Sequence, residues 1–197
     1  MNRHPGGEAQ TLHLLENIEW KKEMKALDLG AGEGDTVRIL KSFGLEAHGV
    51  DLFPRGSDVE IGDFLHLQYS SDSIDLCISQ CAFFVSGDQQ KAVSECWRVL
   101  KKGGLLVLSD LDQGNLVEVV KCTGFCILHQ EDQTALWREY YLEAIWNDSL
   151  CKTWNDNHLL RLIPGVKRAG QELEKQYISL KKQEPGWFQT ISYQEKT

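Results

Sequence analysis

Short apolar runs alternate with stretches of helical periodicity along most of the chain. The runs are bounded by Gly, Asp and Ser, and between them apolar residues recur every three or four positions, as on an amphipathic helix. Near-continuous apolar strands are typical of a parallel sheet covered by helices on both faces. The pattern predicts six strands, at 25–31, 47–52, 59–64, 73–79, 105–108 and 124–132.

Helical spacing predicts the elements between and around these strands. A leading helix is expected within residues 1–22, with Thr11 as its N-cap, and others at 89–102 and 116–122. Two further helical patterns follow at 135–154 and 166–182, and residues 185–193 form a last apolar run that predicts a seventh strand. We therefore expect one doubly wound α/β domain over residues 1–197, with a helical cap inserted at about 134–183.

Three glycines at alternate positions, Gly30, Gly32 and Gly34, separate the first strand from the helix that follows it. Glycines at such a turn allow positive φ and close approach of a ligand, and the helix directs unpaired N–H groups towards it. The spacing is neither the Gly-x-Gly-x-x-Gly of dinucleotide sites nor a phosphate loop, which needs Lys before Ser or Thr. The second strand ends at Asp51, where α/β nucleotide sites place an acid on the ribose hydroxyls.

The run Asp28-Leu-Gly-Ala-Gly-Glu-Gly34, the acid at Asp51, the Asp63-Phe64 pair and the run Arg98-Val-Leu-Lys-Lys-Gly-Gly-Leu-Leu-Val-Leu108 together resemble the class I S-adenosylmethionine (AdoMet) methyltransferases. The resemblance implies a mostly parallel seven-stranded sheet whose last strand is reversed, AdoMet as the cofactor, and an N-terminal lid near the mouth of its site. It also implies the following cofactor-binding residues: Asp28, Gly30, Ala31, Gly32, Gly34, Thr36, Asp51, Leu52, Asp63, Phe64 and Ser79.

Two roles stay open for Asp28, which interrupts an apolar strand. It either contacts the cofactor's ammonium group, directly or through water, or accepts a hydrogen bond from a nearby backbone N–H. The alternatives for Leu52 are a wall of the adenine site and simple packing.

The acceptor chemistry is not named by any motif. Residues beyond the carboxyl ends of strands line the ligand crevice of open α/β sheets, which makes Gln80, Cys81, His129 and Glu131 candidates for contact with the acceptor or for general base catalysis. Asp110 and Asp112 either bind substrate or cap the helix from Asn115 onward. Asp132 is either a general base beside His129 and Glu131 or the N-cap of the next helix. His4 is a further weak candidate, since its Gly-containing segment is equally compatible with a lid and with a frayed terminus.

Charge and composition narrow the class of partner. The net charge of −8, from 29 acids and 21 bases, argues against a nucleic-acid partner, which requires a basic face. No apolar run is long enough for a membrane span or a signal peptide, so we expect a cytoplasmic protein without a membrane partner. The six cysteines lack zinc-site spacing, and we expect no metal.

The interpretation that follows is an AdoMet-dependent methyltransferase with a small-molecule acceptor. The Asn/Asp-Pro-Pro-aromatic run of family members that methylate amino groups is missing after Ser79, which argues against base N-methylation. Two alternatives remain: a catalytically silent AdoMet-binding module, and an arsenite or thiol-type methyltransferase that uses Cys81. A dinucleotide oxidoreductase is a third option that the glycine spacing disfavours. The acceptor atom and the oligomeric state are left open.

Overall fold

A seven-stranded sheet forms the centre of the protein. The computed structural model describes residues 4–16, 18–19, 21–112, 115–146 and 175–182. Along the chain the elements are α1 (Gly7–Leu15), β1 (Lys25–Leu29), α2 (Asp35–Ser42), β2 (Glu46–Asp51), β3 (Val59–Ile61), β4 (Ile74–Gln80), α3 (Phe83–Ser86), α4 (Gln89–Val99), β5 (Leu100–Leu111), α5 (Leu116–Thr123), β6 (Phe125–Asp132), α6 (Thr134–Trp146) and β7 (Lys175–Lys182).

The strands lie in the order β3–β2–β1–β4–β5–β7–β6. β1 to β5 pair in parallel, and β7 lies antiparallel to both β5 and β6. The order reverses at β1, so β1 and β4 meet at the switch point where open α/β sheets bind ligands. This confirms the expected doubly wound α/β sheet with a reversed last strand.

Helices cover both faces of the sheet, as the near-continuous apolar strands predict. Alternate side chains of each strand enter different clusters: Leu27 and Cys77 pack with α4 and α5 on one face, while Ala26 and Leu76 pack with α1 and α2 on the other. The central strands are therefore buried on both sides, and only their carboxyl edge is left to build a site.

The last strand differs from the expectation. Residues 175–182 form β7, although the pattern at 166–182 predicts a helix, and the strand predicted at 185–193 lies outside the described residues. Alternation in Lys-Gln-Tyr-Ile-Ser-Leu-Lys-Lys also fits period 2, and pairing with β5 and β6 decides for the strand. The insertion between β6 and β7 begins with α6 as expected, and its remainder, 147–174, lies outside the described residues.

The first helix also begins earlier than expected. α1 starts at Gly7, so Thr11 lies inside the helix and is not its N-cap. Leu14 and Leu15 bury the second half of α1 against the sheet. None of the helices in the described ranges is both long and apolar enough to cross a membrane.

Candidate functional site

The glycine turn after β1 forms the floor of the site. Gly30, Gly32 and Gly34 have φ of 80°, 55° and 77°, the left-handed region that glycine adopts without strain. The Gly30 N–H donates to the Val50 carbonyl at 2.8 Å, and the Gly34 N–H donates to the Ala31 carbonyl at 2.8 Å. These bonds close the turn and lead it directly into α2, as the sequence predicts.

Asp51 lies against this turn. One of its carboxylate oxygens accepts the Gly32 N–H at 2.8 Å, and the other accepts the Phe53 N–H at 2.7 Å. A carboxylate has about four lone-pair positions, so two remain for hydroxyl donors of a ligand. The sequence predicts Asp51 as an acid at the end of β2, and the structure adds that it also holds the glycine turn in place.

Asp28 is buried beside Asp51 in the centre of the sheet, with 4% of its surface exposed. Burial, helped by the negative charge of Asp51, raises the pKa of Asp28 to about 7. None of the hydrogen bonds found among the described residues reaches its carboxylate, so capping of a nearby backbone N–H does not account for it. A buried acid without a donor is costly, and a cation bound at the switch point would offset that cost.

Three of the predicted cofactor-binding residues, Asp63, Phe64 and Leu52, are arranged differently from one another. Asp63 caps its own loop, since its carboxylate accepts the Leu65 N–H at 2.8 Å and contacts the His66 ring at 3.1 Å. Phe64 is buried, and its ring centroid lies 5.1 Å from that of Phe83, so the ring is part of the core. Leu52, in contrast, is 56% exposed beside Asp51 and is available to a ligand.

Ser79 and Gln80, at the end of β4, face different partners. Ser79 is fully buried and donates to the Leu29 carbonyl at 2.9 Å, which ties β4 to β1 and leaves its hydroxyl away from the site. The Gln80 amide donates to the hydroxyls of Thr36 and Thr11, both at 3.1 Å. Gln80 therefore links the start of α2 to the N-terminal helix above the carboxyl edge.

Cys81 follows with φ of 60°, unusual for a residue other than glycine. Its N–H donates to the Ser109 carbonyl at 2.8 Å, and its side chain packs with Phe84, Leu111, Trp137 and Tyr140. No group of three His, Cys, Asp or Glu side chains that could hold a metal forms within the described ranges. A metalloid site at Cys81, which needs several converging thiolates, has no support among these residues.

His129 and Glu131 lie at the end of β6, and Glu131 is tied to the N-terminal helix. The Glu131 carboxylate lies 3.1 Å from His13 Nε2 and 3.7 Å from His129 Nε2. Its other oxygen accepts from Gln133 at 2.6 Å, and the Gln133 amide oxygen accepts from Ser109 at 2.9 Å. α1 is thus fastened at both sides of the carboxyl edge, by Thr11 to β4 and by His13 to β6.

Asp110, near the end of β5, and Asp112, just after it, have capping roles. Asp110 is buried and accepts the N–H groups of Phe83, Phe84 and Leu111, at 2.7 to 3.2 Å, which fixes the start of α3. Burial raises the pKa of Asp110 to about 7, against the opposing effect of these bonds. Asp112 accepts the Leu116 N–H at 3.0 Å and caps α5. Asp132 accepts the Thr134 N–H at 2.8 Å at the start of α6, as its capping alternative predicts.

Sequence reasoning missed Thr11 and His13 as residues that shape the site, and it assigned Asp110 to substrate binding or to the cap of the helix from Asn115 instead of to the start of α3. Their partners lie 27 to 118 positions away along the chain, and no local pattern marks such pairs. Polar residues on the otherwise apolar face of α1 were the available signal, because Thr11 and Leu14 share that face.

Comparisons with known proteins agree with this architecture. Residues 27–108 match the family model described as a methyltransferase domain. The chain is 31% identical over 115 residues to malonyl-[acyl-carrier protein] O-methyltransferase 1 of Coxiella burnetii, covering 54% of this chain and 41% of that one. It is 26% identical to sarcosine/dimethylglycine N-methyltransferase of Aphanothece halophytica, covering 82% and 64%.

The structure is similar to phosphoethanolamine N-methyltransferase 2 of Haemonchus contortus, solved with S-adenosyl-L-methionine, with a TM-score of 0.72 and 21% identity over 92% of this chain and 54% of that one. The chain therefore spans between 41% and 64% of the length of these relatives.

The sheet order is that of the class I α/β methyltransferase fold, with the glycine turn and Asp51 at its switch point. The chain is similar to methyltransferases over residues 27–108, which match the domain model.

Proposed function

We propose that the protein transfers a methyl group from AdoMet to a small-molecule acceptor. The observation that carries this proposal is the pairing of Asp51 with the Gly32 N–H, beside the buried Asp28, at the switch point of the sheet. The two remaining lone pairs of the Asp51 carboxylate can accept hydrogen bonds from ribose hydroxyls. The buried Asp28 carboxylate, which accepts no hydrogen bond among the described residues, can pair with an ammonium group. AdoMet carries both kinds of group, hydroxyls on its ribose and an ammonium group on its amino acid portion.

Each residue of the turn would have a separate task in holding the cofactor. Asp51 would accept hydrogen bonds from the ribose, Asp28 would pair with the ammonium group, and the backbone of Gly30 to Gly34 would allow close approach. Ala31 and Thr36 border this turn, while Leu52 and Asp63 would face the base. AdoMet supplies an electrophilic methyl group, so the chain's contribution is alignment of the acceptor and exclusion of water.

The acceptor would bind at the carboxyl edge beneath α1 and beside α6. Gln80, Cys81, His129 and Glu131 border this region and remain the proposed contacts. The relatives' names specify malonyl-[acyl-carrier protein], sarcosine and phosphoethanolamine as acceptors, which supports a small or carrier-bound group rather than nucleic acid. A cytoplasmic location is also proposed, supported by five cysteines in the described residues that form no disulfide.

Calorimetric titration tests the cofactor assignment first. S-adenosylhomocysteine and AdoMet are expected to bind the wild-type chain, and NAD is not. Asp51→Ala is expected to weaken both by about 10- to 100-fold, because hydrogen bonds to a charged group contribute about 1.5–3 kcal/mol. Glu46→Ala is the matched control, an exposed acid at the far end of the same strand.

Three results would separate the alternatives. If neither AdoMet nor S-adenosylhomocysteine binds, the methyltransferase function and the AdoMet-binding module are both excluded. Binding with no methyl transfer to a broad panel of small acceptors would favour the silent module. Methyl transfer to arsenite that is lost in Cys81→Ser would favour the thiol-type alternative.

A further inference from the structure

The turn that precedes α1 holds His4 against the inner face of that helix. Gly6 and Gly7 both have positive φ, 74° and 53°, and the Gly7 N–H donates to the His4 carbonyl at 3.1 Å. These two residues fold the segment back, so that His4 Nε2 lies 3.5 Å from the Thr11 hydroxyl. Thr11 is buried and contacts Gln80 at the end of β4. The imidazole is therefore placed at the carboxyl edge, above the glycine turn.

The hydrogen bonds of His4 leave one nitrogen with a lone pair. Nδ1 lies 3.2 Å from the Pro5 carbonyl, which can only accept, so Nδ1 carries the proton and Nε2 does not. The Thr11 hydroxyl is at the long limit of a hydrogen bond to Nε2 and has nearer acceptors in Gln80 Oε1, at 3.3 Å, and the Gly7 carbonyl, at 3.4 Å. Nε2 thus keeps the capacity to take a proton.

His4 also differs in its surroundings from other histidines, which have a carboxylate beside them. His13 and His129 lie 3.1 and 3.7 Å from Glu131, and His66 lies 3.1 Å from Asp63. No charged group of the described residues forms an ion pair with His4, and burial lowers its pKa below 6.5. A neutral imidazole is a competent proton acceptor near neutral pH.

Gln10, the residue before Thr11 on α1, gives a second sign of a missing polar partner. Gln10 Nε2 is buried and has no hydrogen-bond partner among the described residues. A buried donor without a partner is costly, and a polar ligand beneath α1 would satisfy it. Gln10 packs against the turn that holds His4, because a Cβ atom added to Gly6 would lie 2.5 Å from the Gln10 Cβ atom.

We propose that His4 Nε2 is the proton acceptor for the methyl-accepting group. This assignment rests on the proposed function. His4 would take the proton from a hydroxyl, amine or thiol as the acceptor atom bonds to the methyl carbon. The carbon–sulfur bond breaks at the same time, its electron pair stays on the sulfur, and the imidazolium then releases the proton to water. The acceptor class is therefore a group that carries a proton at the pH of the reaction.

Nuclear magnetic resonance of the ¹⁵N-histidine-labelled full chain tests the position of His4 without an acceptor. Long-range ¹H–¹⁵N spectra give the tautomer and the pKa of each imidazole, and His4→Gln identifies the His4 signals. Titrations would be run on the free protein, with S-adenosylhomocysteine, and with sinefungin, which carries an ammonium group in place of the methyl. His48 on β2, which lies away from this edge, is the internal control.

We expect the free protein to show His4 as the Nδ1–H tautomer with a pKa below 6.5. Sinefungin is expected to lower this pKa by about 0.5–2 units more than S-adenosylhomocysteine does, because a cation bound near the imidazole disfavours the imidazolium. His48 should respond equally to the two ligands.

An Nε2–H tautomer, or equal His4 pKa values with the two bound ligands, would overturn the assignment while leaving the proposed function in place. If neither ligand binds, the proposed function fails and the assignment of His4 fails with it.

Discussion

A Cβ atom added to Gly30 would lie 2.4 Å from the Cβ atom of Ala82. The turn after β1 and the turn after β4 are therefore in direct contact at the switch point of the sheet. Real Cβ atoms do not approach so closely, so glycine is required here by space as well as by its φ of 80°. The contact sets how near the candidate acceptor residues Gln80 and Cys81 come to the glycine turn.

Gly30→Ala is expected to destabilise the protein by about 2–5 kcal/mol, the sum of a left-handed alanine and an overpacked contact. Gly87→Ala is the matched control, because Gly87 has a similar φ of 78° but open space around its Cβ position. It should cost only about 1–2 kcal/mol. Urea unfolding measures both. Adding Ala82→Gly to Gly30→Ala should recover the packing part, and failure to recover it would contradict the proposed contact.

The Asp28→Asn substitution is expected to change stability and cofactor binding in opposite directions. The folded-state pKa of Asp28, about 7, lies above its ordinary value of 3.8. The neutral Asp28 side chain therefore contributes fully to the stability of the wild-type protein below pH 3.8. This contribution is lost as the pH rises through about 7, because the buried carboxyl group must then ionise. The neutral amide does not ionise, so the melting temperature of the variant should rise relative to that of the wild type as the pH increases from 5 to 8.

The same variant should bind S-adenosylhomocysteine at least about 10-fold more weakly at pH 8, since it lacks the charge that would pair with the ammonium group. Thermal unfolding and calorimetric titration are the two measurements. Identical pH dependence of stability in the two proteins would show that Asp28 is ionised or solvated throughout.

The contact between His13 and Glu131 should fasten α1 in a pH-dependent way. The hydrogen bond to Glu131 raises the pKa of His13 above 6.5, with Glu16 adding to the effect. Partial burial pushes the pKa of Glu131 upward, but bonds from Gln133, His13 and His129 outweigh it and leave the pKa below 4.5. The contribution of His13 is complete below pH 6.5 and is lost as the pH rises through its folded-state pKa.

His13→Gln should therefore increase hydrogen exchange of residues 7–15 at pH 6 and change it little at pH 9, once intrinsic rates are corrected. The effect should stay below about 1 kcal/mol, because both side chains are partly exposed. His66→Gln, which removes a histidine paired with Asp63 outside α1, is the control. Equal acceleration in α1 at both pH values would mean that charge does not fasten this helix.

Residues whose placement follows from the local sequence pattern could be predicted without the structure. Strand periodicity and alternate glycines place β1, the turn and α2, and the acid ending β2 follows from the geometry that all open α/β sheets share. The position of Asp51 at the end of β2, beside the glycine turn, was therefore predictable. Ser79 and Phe64 were expected at the site from the family resemblance, yet their side chains face the Leu29 carbonyl and the Phe83 ring. Which face a residue presents at a strand end depends on partners that the pattern does not specify.

By itself the sequence determined the order of the strands from β1 to β6, the two-sided burial of the sheet and the glycine turn after its first strand, because hydrophobic periodicity and glycine placement are local properties of the chain. Only the tertiary structure decided that residues 175–182 are a strand, since pairing with β5 and β6 outweighs an ambiguous local pattern. It alone also brought Thr11 to Gln80, His13 to Glu131 and Gly30 to Ala82. Such contacts join residues far apart in sequence, and they form only when the helices and strands pack together.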